Sequence, residues 1–176
     1  LQAAVDAVQG SGTIELTSSI ALSDQVTIDS GKTIILDMNG ETLSIGFSDS
    51  SKNLIVNNGT LTITGDGTFD ATEATSYKGF INNYGTLTVE NGTFQIADKA
   101  MTVHLRNQDG GKAVINGGTF SGGATIVRSF EGSNTTITGG SFTNSVYPAV
   151  DVNGETLITG GIFTNTSCSK IGRAHV

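Results

Sequence analysis

Apolar and polar positions alternate along most of this chain in runs of four or five, with glycine or asparagine between the runs. Ile115-Asn-Gly-Gly-Thr-Phe120, Ile137-Thr-Gly-Gly-Ser-Phe142 and Ile158-Thr-Gly-Gly-Ile-Phe163 are copies of one element. Val89-Glu-Asn-Gly-Thr-Phe94 is a fourth copy, and Ile63-Thr-Gly-Asp-Gly-Thr-Phe69 is a fifth with one extra turn residue. The five phenylalanines lie 25, 26, 22 and 21 residues apart. A period in the low twenties built from strand-forming residues predicts one supersecondary unit stacked on itself.

A second element lies between the phenylalanine motifs. Leu54-Ile-Val-Asn-Asn-Gly-Thr-Leu-Thr-Ile63 returns as Phe80-Ile-Asn-Asn-Tyr-Gly-Thr-Leu-Thr-Val89, and more loosely as Val150-Asp-Val-Asn-Gly-Glu-Thr-Leu-Ile158. Each reads as strand, tight Asn/Gly turn, strand. Adding the phenylalanine strand gives three strands and three corners per coil. Alternation points Leu61 and Ile63 inward and their threonines outward. The repeated phenylalanines then form one interior column. Asn57, Asn58, Asn82, Asn83 and Asn153 fall at turns, where side-chain amides bond from rung to rung. A β-sandwich of hairpins also uses Asn-Gly turns, but it does not require a repeated register.

Residues 1–9 carry apolar side chains at 1, 4, 5 and 8, one face of a helix that Gly10 and Gly12 stop. Such a helix suits a lid over the first coil, hiding core side chains and strand edges. The next strands are expected at 13–16, 25–28, Thr33–Asp37 and Thr42–Ile45. Polar excursions at 47–53, 70–79 and 95–100 fall on one side of the coil. Residues 1–10 are thus a capping helix, 11–167 the repeat, and 168–176 a tail that abandons it. Both ends read as cut. Residues 171–176 back-translate as ATC GGA AGA GCA CAC GTC, the read-through of a common sequencing adapter, and Lys170 fits the preceding bases. The expectation is that 170–176 are not natural sequence, so Arg173 and His175 carry no functional argument.

Composition narrows the functional classes. The net charge of −7 disfavours a phosphate backbone as partner. Cys168 stands alone, so an internal disulfide is excluded. No apolar run is long enough to cross a bilayer. Neither a cofactor nor a metal site is expected.

On these motifs, residues 1–166 resemble right-handed parallel β-helix proteins of the pectin-lyase-like superfamily. The opening, with Val26-Thr-Ile-Asp-Ser-Gly-Lys-Thr-Ile-Ile-Leu-Asp-Met-Asn-Gly-Glu-Thr-Leu43, looks like repeat-rich bacterial surface proteins. The resemblance implies an all-β, right-handed solenoid of six or seven coils behind an N-terminal capping helix. It also implies a secreted or cell-surface setting, and a polysaccharide or host-surface glycan as partner alongside neighbouring coils or domains. Lyases and hydrolases of this group carry clustered carboxylates with an arginine base, or paired aspartates with Gly-His-Gly. This chain has neither an Asp-Asp pair nor Gly-His-Gly, and its carboxylates are scattered. The expected function is therefore non-catalytic: adhesin, spacer or glycan-contacting surface. A polysaccharide lyase or hydrolase acting on acidic glycans is the alternative.

One patch carries candidate chemistry. Val103-His-Leu-Arg-Asn-Gln-Asp-Gly-Gly-Lys112 aligns without gaps on Thr125-Ile-Val-Arg-Ser-Phe-Glu-Gly-Ser-Asn134, one coil later. Arg106 should lie beside Arg128, Asp109 beside Glu131, and Leu105 beside Val127 in the interior. His104, Arg106 and Arg128 are the candidate ligands for an acidic sugar. Simple pairing of the arginines with Asp109, Glu131 or Asp151 is the competing reading.

Overall fold

The computed structural model describes residues 1–47, 49, 51–73, 79–97, 102–144 and 146–165. Among them the chain winds through about six turns of a parallel β-solenoid with three sheets of seven, seven and six strands. Each turn contributes one strand to each sheet. Sheet one runs from Ser11–Glu15 to Glu155–Ile158, sheet two from Ile20–Leu22 to Ile162–Asn165, and sheet three from Val26–Ile28 to Val150–Val152. All pairings are parallel and link a strand to its counterpart one turn away. The expected strands are present to within two residues. The short strand Ile20–Leu22 was not foreseen, because three residues give no alternation to read.

Register decides what is buried. Leu61 pairs with Leu87, Ile63 with Val89, and Val89 with Ile115. These side chains are buried, while Thr60, Thr62 and Thr88 face outward and are half-buried or more exposed. The phenylalanines stack as the period predicts. Rings 69, 94, 120, 142 and 163 are 4.6, 4.5, 5.0 and 4.7 Å apart, with planes within 9° of parallel. Each such contact contributes about 0.5–1.5 kcal/mol beyond the area it buries. The near-parallel planes also mean that successive turns are rotated little against one another.

A polar column runs beside this apolar one. Asn57 donates to Oδ1 of Asn83 at 2.7 Å, and Asn83 donates to Oδ1 of Asn107 at 2.8 Å. Asn107 donates to Oγ1 of Thr135 at 2.9 Å, and Thr135 meets Ser129. All five side chains are buried. Their amide N–H groups also satisfy the carbonyls of Thr86, Lys112 and Asn134, where the chain enters sheet one. The ladder thus closes the sheet three to sheet one corner, where regular pairing lapses. Of the asparagines expected to form it, Asn57 and Asn83 do. Asn58 and Asn153 are exposed, and Asn82 lies on the outer surface. Asn107 completes the series.

The helix Gln2–Ala7 lies across the first turn and buries Val5. Gln2 accepts from the Thr27 backbone N–H at 2.7 Å and donates to its carbonyl at 3.1 Å. One side-chain amide therefore stands in for a neighbouring strand at the edge of sheet three. Lys32 Nζ donates to the carbonyls of Val5, Asp6 and Val8 at 2.9, 3.1 and 2.8 Å, tying the end of the helix to the coil. The three polar excursions lie at the link from a sheet-two strand to the following sheet-three strand, although residues 70–71 and 95–96 belong to the strands Thr68–Ala71 and Thr93–Ile96 and Gly79 opens Gly79–Asn83. Residues 48, 50, 74–78 and 98–100 of those excursions, and the tail from 166, lie outside the described residues.

Candidate functional site

Outward positions of sheet three make the candidate surface. Strand register places Val56, Asn82, Arg106, Arg128 and Asp151 in one outward row across successive turns. Two residues further along each strand, a second row contains Tyr84, Gln108 and Phe130. Their backbone N–H groups bond to the carbonyls of Asn57, Asn83 and Asn107 on the preceding turn. Rung spacing of about 4.8 Å brings each side chain against the next.

The gapless alignment of the two coils is realised. Arg106 pairs with Arg128 and Leu105 with Val127, and the same offset joins Lys112 to Asn134. Leu105 and Val127 are buried neighbours. Two guanidinium groups on adjacent rungs repel, and two features offset this. The Phe130 ring faces both, 5.2 Å from the Arg106 guanidinium carbon and 6.0 Å from that of Arg128. An aromatic face attracts a cation by about 0.5–1 kcal/mol at exposed sites. Arg128 Nε donates to Asp151 at 2.7 Å. Arg106 is partly desolvated, and its pKa is pushed below the ordinary value first by that burial and then by the charge of Arg128. Beside it, Gln108 donates to Asn82, and Asn82 donates to the Tyr84 hydroxyl at 3.2 Å. Tyr84 is 48% exposed. The result is a strip of two cations, two amides and two aromatic rings, held by a rigid sheet.

His104 is not part of that strip. Alternation from Arg106 places it on the outside, yet it is 1% exposed. The strand begins at a corner, where Val103, His104 and Leu105 are all buried. By register His104 occupies the column of Leu54, Phe80, Ile126 and Ala149, all buried. Its ring lies 5.4 Å from Phe80 and 5.9 Å from Phe120. Nε2 is 3.2 Å from the Gly122 carbonyl, to which the neutral ring donates. Nδ1 is buried and meets no partner among the described residues. Burial lowers its pKa to about 4. The apolar residues one turn before and after, Phe80 and Ile126, are the sequence signal that marks this position as interior.

Elsewhere, a groove of about 390 Å³ runs between the helix and strand Ile20–Leu22, lined by Leu1, Gln2, Ile20, Leu22, Asp24 and Val26 among others. It shares no residue with the arginine strip. Among the described residues, no group of three or more His, Cys, Asp or Glu side chains could hold a metal ion, and no helix is long and apolar enough to cross a membrane. Comparison with known protein families, with curated proteins and with solved structures gives no match.

Proposed function

We propose that this chain is a non-catalytic contact module: a secreted or cell-surface solenoid segment that holds an acidic glycan against the outer face of sheet three. The observation that carries the reading is the pairing of Arg106 with Arg128 beside Phe130, Tyr84, Asn82 and Gln108. Arginine matches the planar fork of a carboxylate. The half-buried amides of Asn82 and Gln108 and the exposed Tyr84 ring suit sugar hydroxyls and the apolar face of a pyranose ring. The overall charge of −7 opposes an acidic ligand only at long range. At physiological salt the Debye length is about 8 Å, so groups on the strip dominate. The pectin-lyase-like character and the bacterial adhesin-like setting belong to this proposal and rest on the coil motifs.

Hydrolysis requires two carboxyl groups held at a defined separation across the bond. The carboxylate in this strip, Asp151, is instead tied to Arg128. The deciding experiment is equilibrium binding to polygalacturonate, with release of unsaturated or reducing ends followed in the same samples. Binding without cleavage, weakened at least fivefold in Arg106→Ala and Arg128→Ala, is the expected outcome. Cleavage abolished by Arg106→Ala would establish the lyase instead. Binding indifferent to both substitutions would remove the strip from the function.

A further inference from the structure

The row Asn82, Arg106, Arg128, Asp151 ends its cationic stretch with an anion on the very next rung. Arg128 Nε and Asp151 Oδ2 are 2.7 Å apart, and the two side chains are 39% and 33% exposed. A pair that open to water contributes little to stability. Its larger effect is on what else the guanidinium can hold. Asp151 fills one edge of the Arg128 fork with a carboxylate, the same group that an acidic sugar would present. The rungs on either side of Arg106 carry Asn82 and Arg128.

We infer that Asp151 is a built-in competitor for the arginine pair and sets its selectivity among anionic glycans. This rests on the glycan-contact reading above. With Asp151 in place, a ligand anion arriving at Arg128 must displace a carboxylate and approach another negative charge. The strip then favours polymers whose carboxylates are spaced along the chain, one engaging the arginine pair at a time. Densely sulfated polymers bring several charges onto adjacent rungs, and the Asp151 carboxylate repels the one nearest it. Removing that carboxylate frees the Arg128 edge for a ligand anion.

The test compares Asp151→Asn with the parent for binding to polygalacturonate and to dextran sulfate across a salt series. Asp151→Asn is expected to bind polygalacturonate roughly two- to fivefold more tightly, the range a part-exposed ion pair allows. The gain should be larger for dextran sulfate, with a steeper loss on adding salt. The double variant Arg128→Ala/Asp151→Asn should show no gain, because the effect runs through Arg128. Glu90→Gln, an equal change of charge at an exposed position following a sheet-one strand, should leave both affinities unchanged. Thermal melting of Asp151→Asn close to the parent confirms that the variants compare folded proteins. Unchanged or weaker binding by Asp151→Asn overturns the inference. So does a gain that survives in the double variant or appears in Glu90→Gln, because net charge alone would then explain it. A parent and an Asp151→Asn variant that bind neither polymer overturn the contact reading itself along with it.

Discussion

His104 makes the stability of this solenoid depend on pH in a window where most carboxylates are still charged. In the folded chain the ring is enclosed by Phe80, Phe120 and the Gly122 backbone, and its pKa is about 4 against an ordinary 6.5. Above 6.5 the ring is neutral in both states, and its contribution is fully present. Between 6.5 and 4 the unfolded chain binds a proton that the folded chain does not, so stability falls as pH falls. At about 1.4 kcal/mol per pH unit, the loss across that window is about 3 kcal/mol. His104→Ile removes the titration and places at this position the residue that the next turn carries, Ile126. It removes the unpartnered Nδ1, whose burial costs about 1–3 kcal/mol, and it leaves the buried Gly122 carbonyl without its ring donor, a cost of similar size. The variant should lie close to the parent at pH 7, and its stability relative to the parent should rise by about 3 kcal/mol by pH 4. Urea unfolding followed by far-UV circular dichroism at each pH unit from 7 to 4 measures both. Carboxylate titration is common to the two proteins and cancels in the difference. Parallel decline of parent and variant would falsify the burial argument.

Two further substitutions probe the coil itself. Asn83→Leu strands Oδ1 of Asn107 from its donor and leaves the Lys112 carbonyl without its side-chain partner, so a loss of about 2–4 kcal/mol is expected in denaturant unfolding. An unchanged midpoint would mean that the ladder adds nothing to stability. Gly122→Ala places a Cβ on the Ile96 carbonyl in a residue with φ of 77°. A loss of at least about 2 kcal/mol is expected from strain and displacement of the turn; a melting temperature equal to the parent's would refute the close approach.

The physical consequences of stacking explain how much was legible beforehand. A phenylalanine every 21 to 26 residues, always after a Gly-containing corner, predicted the column of rings. The reason is that parallel in-register coils place equivalent residues one rung apart, whatever the length of the excursion between them. The same logic located Arg106 beside Arg128. At His104 equivalence between turns is the better guide: Phe80 and Ile126 at the same place in adjacent turns are apolar and buried, whereas a ligand role beside Arg106 and Arg128 requires the surface. Asn107 sits on the same inward column as Asn57 and Asn83, one turn on, without the adjacent Asn that marks those two in the sequence.

Periodicity and residue type alone therefore determined the three-strand coil, the aromatic column, the lid helix and the inter-turn register, because each depends on a pattern repeated many times. The tertiary structure alone decided the events at corners and between side chains. It turned His104 inward, routed the Asn ladder onto the carbonyls of sheet one, and gave Arg128 rather than Arg106 to Asp151. The buried His104 and the Arg128–Asp151 pair are single events that no repeat encodes, whereas the Asn ladder recurs in three turns and takes its acceptors from a corner whose angle the sequence pattern does not specify.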